Sequence, residues 1–123
     1  MTNFREDIVW KCNLCERNLY RKFKFAYALP IIALDISGHQ VEIDSRFNVT
    51  INEEEHTYIL RGIIYFSNYH FTSRIVYENG MTWFHDDGIA TSDKPIYDGM
   101  INTIENLYHC RGKNASIAIY TKI

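Results

Sequence analysis

Beyond Lys24, apolar residues either alternate with polar ones or run together in short stretches, a period-two pattern that predicts strands. Lys24 to Ala28 and Ile31 to Ile36 are two such runs separated by Pro30, and Gly38 supplies a turn before the alternating Val41 to Ile43. Arg46 to Ile51 is a weaker strand, followed by a solvated acidic loop of Asn52, Glu53, Glu54 and Glu55. Thr57 to Phe66 and His70 to Tyr77 are the strongest β-rich runs, joined by Ser67, Asn68 and Tyr69. Asn79-Gly80 is a hairpin turn into Met81 to His85, so three adjacent antiparallel strands are expected here. Asp86, Asp87 and Gly88 end that sheet, and the period then changes. Ile101, Ile104 and Leu107 or Tyr108 share one helical face, Asp98 suits the cap and Gly112 the position past the end, which predicts a helix over Met100 to Tyr108. Ser116 to Thr121 reads as a closing strand.

Composition narrows the class. A chain of 123 residues has room for one domain, 1–123, and a 46% hydrophobic content with only 6 Gly and 2 Pro excludes a disordered or low-complexity chain. Nine Tyr and seven Phe favour strands over helices. A net charge of -2 gives no general drive toward nucleic acid or an anionic membrane, and Lys11, Arg17, Arg21, Lys22 and Lys24 read as a solvated face. No apolar run is long enough for a membrane span, and Met1 to Arg5 leads into Glu6 and Asp7 instead of a signal-peptide core. Three cysteines, an odd number, fit a reducing compartment, so the expected location is intracellular, in cytoplasm or nucleus. The glycosylation-like triplets Asn48-Val49-Thr50 and Asn114-Ala115-Ser116 then read as chance.

Two constellations can carry chemistry. Cys12-Asn13-Leu14-Cys15 has the spacing with which two thiolates grip one tetrahedral zinc, which is half a site. The other ligands could come from His109 and Cys110, from a partner chain, or from nowhere, in which case these are plain reduced cysteines. Across the Asn79-Gly80 hairpin, His70 is expected to pair near Phe84 and His85, where the Asp86 carboxylate can accept a hydrogen bond from its imidazole. That is the orienting half of a nucleophile, base and carboxylate triad; the plainer alternative is a His and an Asp that satisfy loop backbone.

The stretch Tyr58-Ile59-Leu60-Arg61-Gly62-Ile63-Ile64-Tyr65, then His70-Phe71-Thr72-Ser73-Arg74, then Gly80-Met81-Thr82-Trp83-Phe84-His85-Asp86-Asp87, resembles the histidine box of the ubiquitin-specific proteases. Cys12 to Cys15, followed by Leu29-Pro30-Ile31-Ile32-Ala33-Leu34, resembles the second half of that family's zinc-holding fingers and its Leu-Pro strand, and Ala115 to Tyr120 resembles its final strand. The resemblance spans residues 12 to 121 in the family's order. It implies the C-terminal half of a papain-like α+β domain, a mainly antiparallel sheet with one C-terminal helix, with a partial finger region at 11–28 and a β-rich palm at 29–121. His70 would match the general base, Asp86 its orienting residue with Asp87 beside it, and Cys12 and Cys15 half of a zinc site.

The chain also departs from the family. The cysteine box that supplies nucleophile and oxyanion stabilisation has no counterpart, the first cysteine pair of the fingers is absent, Tyr69 stands where Gly usually precedes the His, and Asp35-Ile36-Ser37 replaces Lys-Arg-Phe. Cys12 and Cys15 occupy finger positions far from the site, and Cys110 reads as a small buried hydrophobe. An imidazole and a carboxylate alone do not attack an isopeptide carbonyl. The resemblance therefore implies a catalytically incomplete domain that binds ubiquitin or a ubiquitin-like protein, with Tyr65, Tyr69, Phe71 and Trp83 lining a cleft unless those aromatics are core. The alternatives are a working cysteine protease whose nucleophile comes from a region or chain outside this one, and an unrelated small β-rich interaction domain. A half-domain would expose the face its missing lobe covers, which favours a complementary lobe or self-association.

Overall fold

The described part of the chain is built from strands, and in this computed structural model it comprises residues 2–5, 10–12, 18–19, 22–25, 28–86 and 94–123, the first four segments as strand backbone. In chain order the strands are β1 (Thr2–Arg5), β2 (Trp10–Cys12), β3 (Asn18–Leu19), β4 (Lys22–Phe25), β5 (Ile31–Asp35), β6 (Val41–Ile43) and β7 (Arg46–Ile51). There follow β8 (Glu54–Ser67), β9 (His70–Val76), β10 (Met81–His85), β11 (Ile96–Met100), a 3-10 turn (Ile101–Thr103), β12 (His109–Cys110) and β13 (Lys113–Lys122). β1 pairs with β4, and β2 lies between β3 and β6.

All other strands belong to one antiparallel sheet ordered β11-β10-β9-β8-β13-β12, in which β5 also pairs with β13 and β7 with β8. Its two long strands lie side by side at the centre, Asn114 opposite Phe66 and Lys122 opposite Tyr58. Each is flanked by two shorter strands in succession along its other edge: β7 then β9 on β8, and β5 then β12 on β13. The pairing of the long strands shifts register twice, between Ala115 and Ile117 and between Ile119 and Tyr120. Such irregularities bend strands, and here they let Leu60 and Ile63, of opposite parity, both face one core.

That core follows the alternation read from the sequence. Ile32 and Leu34 of β5, Val41 and Ile43 of β6, and Phe47, Val49 and Ile51 of β7 are buried. They meet Tyr58, Leu60, Ile63 and Tyr65 of β8 and Tyr120 of β13. The buried tyrosines each keep a partner for the hydroxyl: Tyr58 donates to Leu29 O at 2.6 Å, Tyr65 to Leu107 O at 2.7 Å and Tyr120 to Asp44 O at 2.6 Å.

Turn chemistry explains most of the differences from expectation. The acidic loop reduces to a two-residue turn, Asn52 and Glu53, both at positive φ (52° and 65°), and Glu54 and Glu55 already belong to β8. Asn68-Tyr69 (52° and 59°) joins β8 to β9 and Arg111-Gly112 (47° and 83°) joins β12 to β13 in the same manner, the left-handed turn that suits the twist of a hairpin. Asn79-Gly80 forms a three-residue loop instead of a two-residue one, with Gly80 N donating to Tyr77 O at 2.9 Å and Tyr77 N to Met81 O at 2.9 Å.

The expected helix over Met100 to Tyr108 is absent. Its first residue ends β11, Ile101–Thr103 make a single 3-10 turn, and Gly112 closes a hairpin instead of a helix. Ile101, Asn102, Thr103 and Ile104 are all poor helix formers, so the periodic burial of Leu107 is met by an irregular segment packed on the sheet. With no α-helix among the described residues, the papain-like α+β fold expected from the resemblance is overturned in favour of a mostly antiparallel β architecture. No helix among the described residues is long and apolar enough to cross a membrane, which says nothing about strands.

Candidate functional site

Even-numbered residues of β9 face the core, and the pairing of β9 with β10 sets Phe84 opposite Arg74 and His85 opposite Ser73. His70 therefore does not pair with Phe84 or His85 as expected; it starts β9 opposite Ser67 of β8. Continuing the register by one residue places Asp86 beside Thr72, diagonal to His70 on the same face. Across that diagonal His70 Nε2 lies 2.5 Å from Asp86 Oδ1.

A carboxylate accepts, so Nε2 is the donor of this bond. The imidazole is 32% exposed and the carboxylate 14%, an arrangement in which Asp86 fixes the ring of a partly exposed His70. Below them the Thr72 hydroxyl is buried without a hydrogen-bond partner. This pair can hold a proton and orient a base. Among the described residues no thiol stands beside it: Cys110, the cysteine whose side chain is described, is 3% exposed, sits in the hydrophobic core and takes a contact from Arg111 Nη1 at 3.6 Å.

The aromatic residues expected to line a cleft do not gather. Tyr65 is fully buried on the core face, so its assignment to a substrate surface is corrected: an inward position on a central strand made it core. Tyr69 projects from the β8–β9 turn and is 98% exposed. Phe71 and Trp83 share the outer face of the sheet, away from His70 and Asp86, Phe71 against Phe66 and Trp83 between Tyr77 and Tyr97. A single cleft lined by all four is thereby excluded, because Tyr65 faces the core while Phe71 and Trp83 stand on the opposite face of the sheet.

Asp87 and Cys15 lie outside the described residues, as does the Cys12 side chain; the Cys12 backbone ends β2 opposite Val41. Among the described residues no group of three or more His, Cys, Asp or Glu is placed to hold a metal ion.

Two charged features were not anticipated. Between β10 and β11 the register skips Asp98, Thr82 facing Gly99 and Trp83 facing Tyr97, and this bulge aims the Asp98 carboxylate at two arginines. Asp98 Oδ2 accepts from Arg74 Nε at 3.1 Å, and Oδ1 accepts from Arg111 Nη2 at 2.8 Å. Hydrogen bonds from Arg111, helped by those from Arg74 against the cost of burial, hold its carboxyl below the usual range. Arg74 also reaches the Tyr65 hydroxyl at 3.2 Å and Asn106 O at 3.0 Å, and Arg111 stacks 3.9 Å above the Phe84 ring. The sequence held a signal for this: an arginine at an inward position of an alternating strand requires a carboxylate.

The second feature is Asp44, in a cleft of about 580 Å³ bordered by Glu42, Ile101, Glu105 and Tyr108. Burial first, and Glu42 second, push its pKa from 3.8 up to about 6. The folded chain then binds more protons than the unfolded one between about pH 4 and 6, so this group lowers stability as pH rises through that window and no further above it. Asp44→Asn should accordingly melt higher than the parent at about pH 7.5, with the gap shrinking toward about pH 4, as thermal unfolding at the two pH values would show.

No known protein family, curated protein or solved structure matches the chain.

Proposed function

We propose that this chain is a binding domain for ubiquitin or a ubiquitin-like protein that carries the histidine and aspartate of a Cys-His-Asp hydrolase site without the thiol. One observation carries the reading: His70 and Asp86, the residues that the resemblance makes base and orienting acid, share a hydrogen bond at one end of the sheet. The reading rests on the site and not on the fold, since the same chemistry recurs on unrelated architectures. Incompleteness is part of it, because the described thiol is locked in the core and an oriented imidazole by itself activates nothing.

An NMR titration of the labelled full chain with unlabelled ubiquitin tests the reading. Saturable shifts at His70, Thr72 and Asp86, with no hydrolysis of a ubiquitin C-terminal fluorogenic amide above the blank, are expected. An unchanged spectrum at millimolar ubiquitin would leave the pair a structural contact and overturn it.

A further inference from the structure

We propose that Ser67 is a nucleophile activated by the His70–Asp86 pair, with which the chain moves acyl groups from small activated carboxylic esters onto its own hydroxyl and then to water. Its place in the β8–β9 hairpin fits it to that role. Asn68 and Tyr69 alone make the turn, so Ser67 and His70 are the pair that closes it. Directly opposed residues point to the same face, with Cβ atoms roughly 4.5–5.5 Å apart, a span that a serine hydroxyl and an imidazole nitrogen can bridge. On that face His70 Nε2 is bonded to Asp86. Hydroxyl, imidazole and carboxylate therefore follow one another across the neighbouring ends of β8, β9 and β10, in the order that a nucleophile, its base and an orienting acid require.

Exposure and charge at this end of the sheet suit the chemistry. Tyr65, two residues before Ser67 on the same face, is fully buried, whereas Ser67 and His70 are half-buried, so the row lies where the core face opens to solvent. There Lys113 places its ammonium 3.2 Å from the Ser67 carbonyl oxygen. One of the three ammonium protons serves that bond, and the others can meet an oxyanion forming beside Ser67. Ser67 Oγ attacks the ester carbonyl carbon while its proton passes to Nδ1 of the neutral ring, the nitrogen that Asp86 does not bind. The carbon–oxygen bond to the leaving alcohol then breaks, and the alkoxide takes that proton. Water repeats the sequence on acyl-Ser67, which releases the carboxylic acid and restores the hydroxyl. An alkoxide leaves far more readily than an amine anion, so esters and not amides are the substrates.

Treatment of the full chain with a fluorophosphonate and with para-nitrophenyl acetate decides the matter. The fluorophosphonate forms an Oγ–P bond with release of fluoride, and peptide mass spectrometry locates the adduct. The expected adduct is on Ser67, and the acetate should give a burst of nitrophenolate that Ser67→Ala abolishes and Ser67→Cys keeps, both variants with the circular dichroism spectrum of the parent. His70→Gln should slow both reactions about a hundredfold. Lys113→Met should slow the burst, and Lys113→Arg should restore it. Adducts that miss Ser67 after hours at millimolar fluorophosphonate, a burst that survives in Ser67→Ala, or labelling of Ser67 as fast in His70→Gln as in the parent overturns the proposal. The inference shares the His70–Asp86 contact with the ubiquitin reading but not the partner: titration with ubiquitin reports on the one and Ser67 labelling on the other, so either can fail alone.

Discussion

Asp98→Ala should destabilise the fold by about 3–5 kcal/mol, the cost of leaving a buried ion pair half made. The carboxylate is 10% exposed and the Arg74 side chain 12%, so removing Asp98 strands a guanidinium that the core cannot hydrate. Tyr65 Oη and Asn106 O still bind Arg74, but neither carries a charge. Arg111, 43% exposed, can turn to water, and Arg111→Ala should cost only about 1 kcal/mol. Against a total stability of about 5–15 kcal/mol, the Asp98 loss removes roughly a fifth or more of the margin. Urea unfolding of the two variants measures the contrast. Adding Arg74→Met to Asp98→Ala should recover part of the loss, because the stranded charge goes with it; a double variant weaker than Asp98→Ala would show that the arginine stabilises without its partner.

Phe47→Ala should cost about as much, roughly 3–5 kcal/mol, for a different reason. Among the described residues β7 is hydrogen-bonded to the main sheet along one edge, and its inward residues hold it there. Phe47 stacks on Tyr58 with centroids 5.3 Å apart and meets Tyr120 edge-on at 4.7 Å, so its ring bridges the two long strands. Truncation opens a cavity between two tyrosines whose hydroxyls are anchored to Leu29 and Asp44, which leaves them little freedom to close it. Phe47→Leu should restore more than half of the lost stability in the same unfolding measurement, since most of the volume returns; equal losses for Ala and Leu would point to the aromatic contacts alone.

The two sites of high expected cost differ in how far they could be read from sequence. Phe47 lies in a strand whose bounds, Arg46 to Ile51, follow directly from alternation, as do those of Val41 to Ile43 and Met81 to His85. Alternation is a local property, and where a strand has one buried face it is enough. The approach of His70 to Asp86 was legible for a similar reason, because a hairpin fixes which strand ends meet, although Asp86 comes to lie beside Thr72 and reaches His70 only across a diagonal. The need of Arg74 for a carboxylate was legible, but that Asp98 supplies it was not. Its place before Ile101, Ile104 and Leu107 suits a helix cap, and only the sheet, with Arg74 and Arg111 already on the inner side, makes it more useful as a bulge. Tyr65 failed in the opposite direction: nothing local separates an aromatic lining a cleft from one sealed beneath it, since both need the same side chain in the same strand.

The position of β13 bears on how the chain comes to be folded. β5 leaves the ribosome early but finds its only described hydrogen-bonded neighbour about eighty residues later, when β13 is made. Until then β8 also has one bare edge, and the inner faces of both strands have nothing to close over them. The sheet must therefore assemble largely after synthesis of its central strand and not in step with it, which makes folding slow for a chain of this size and leaves nascent copies dependent on whatever shields unpaired strands in the meantime.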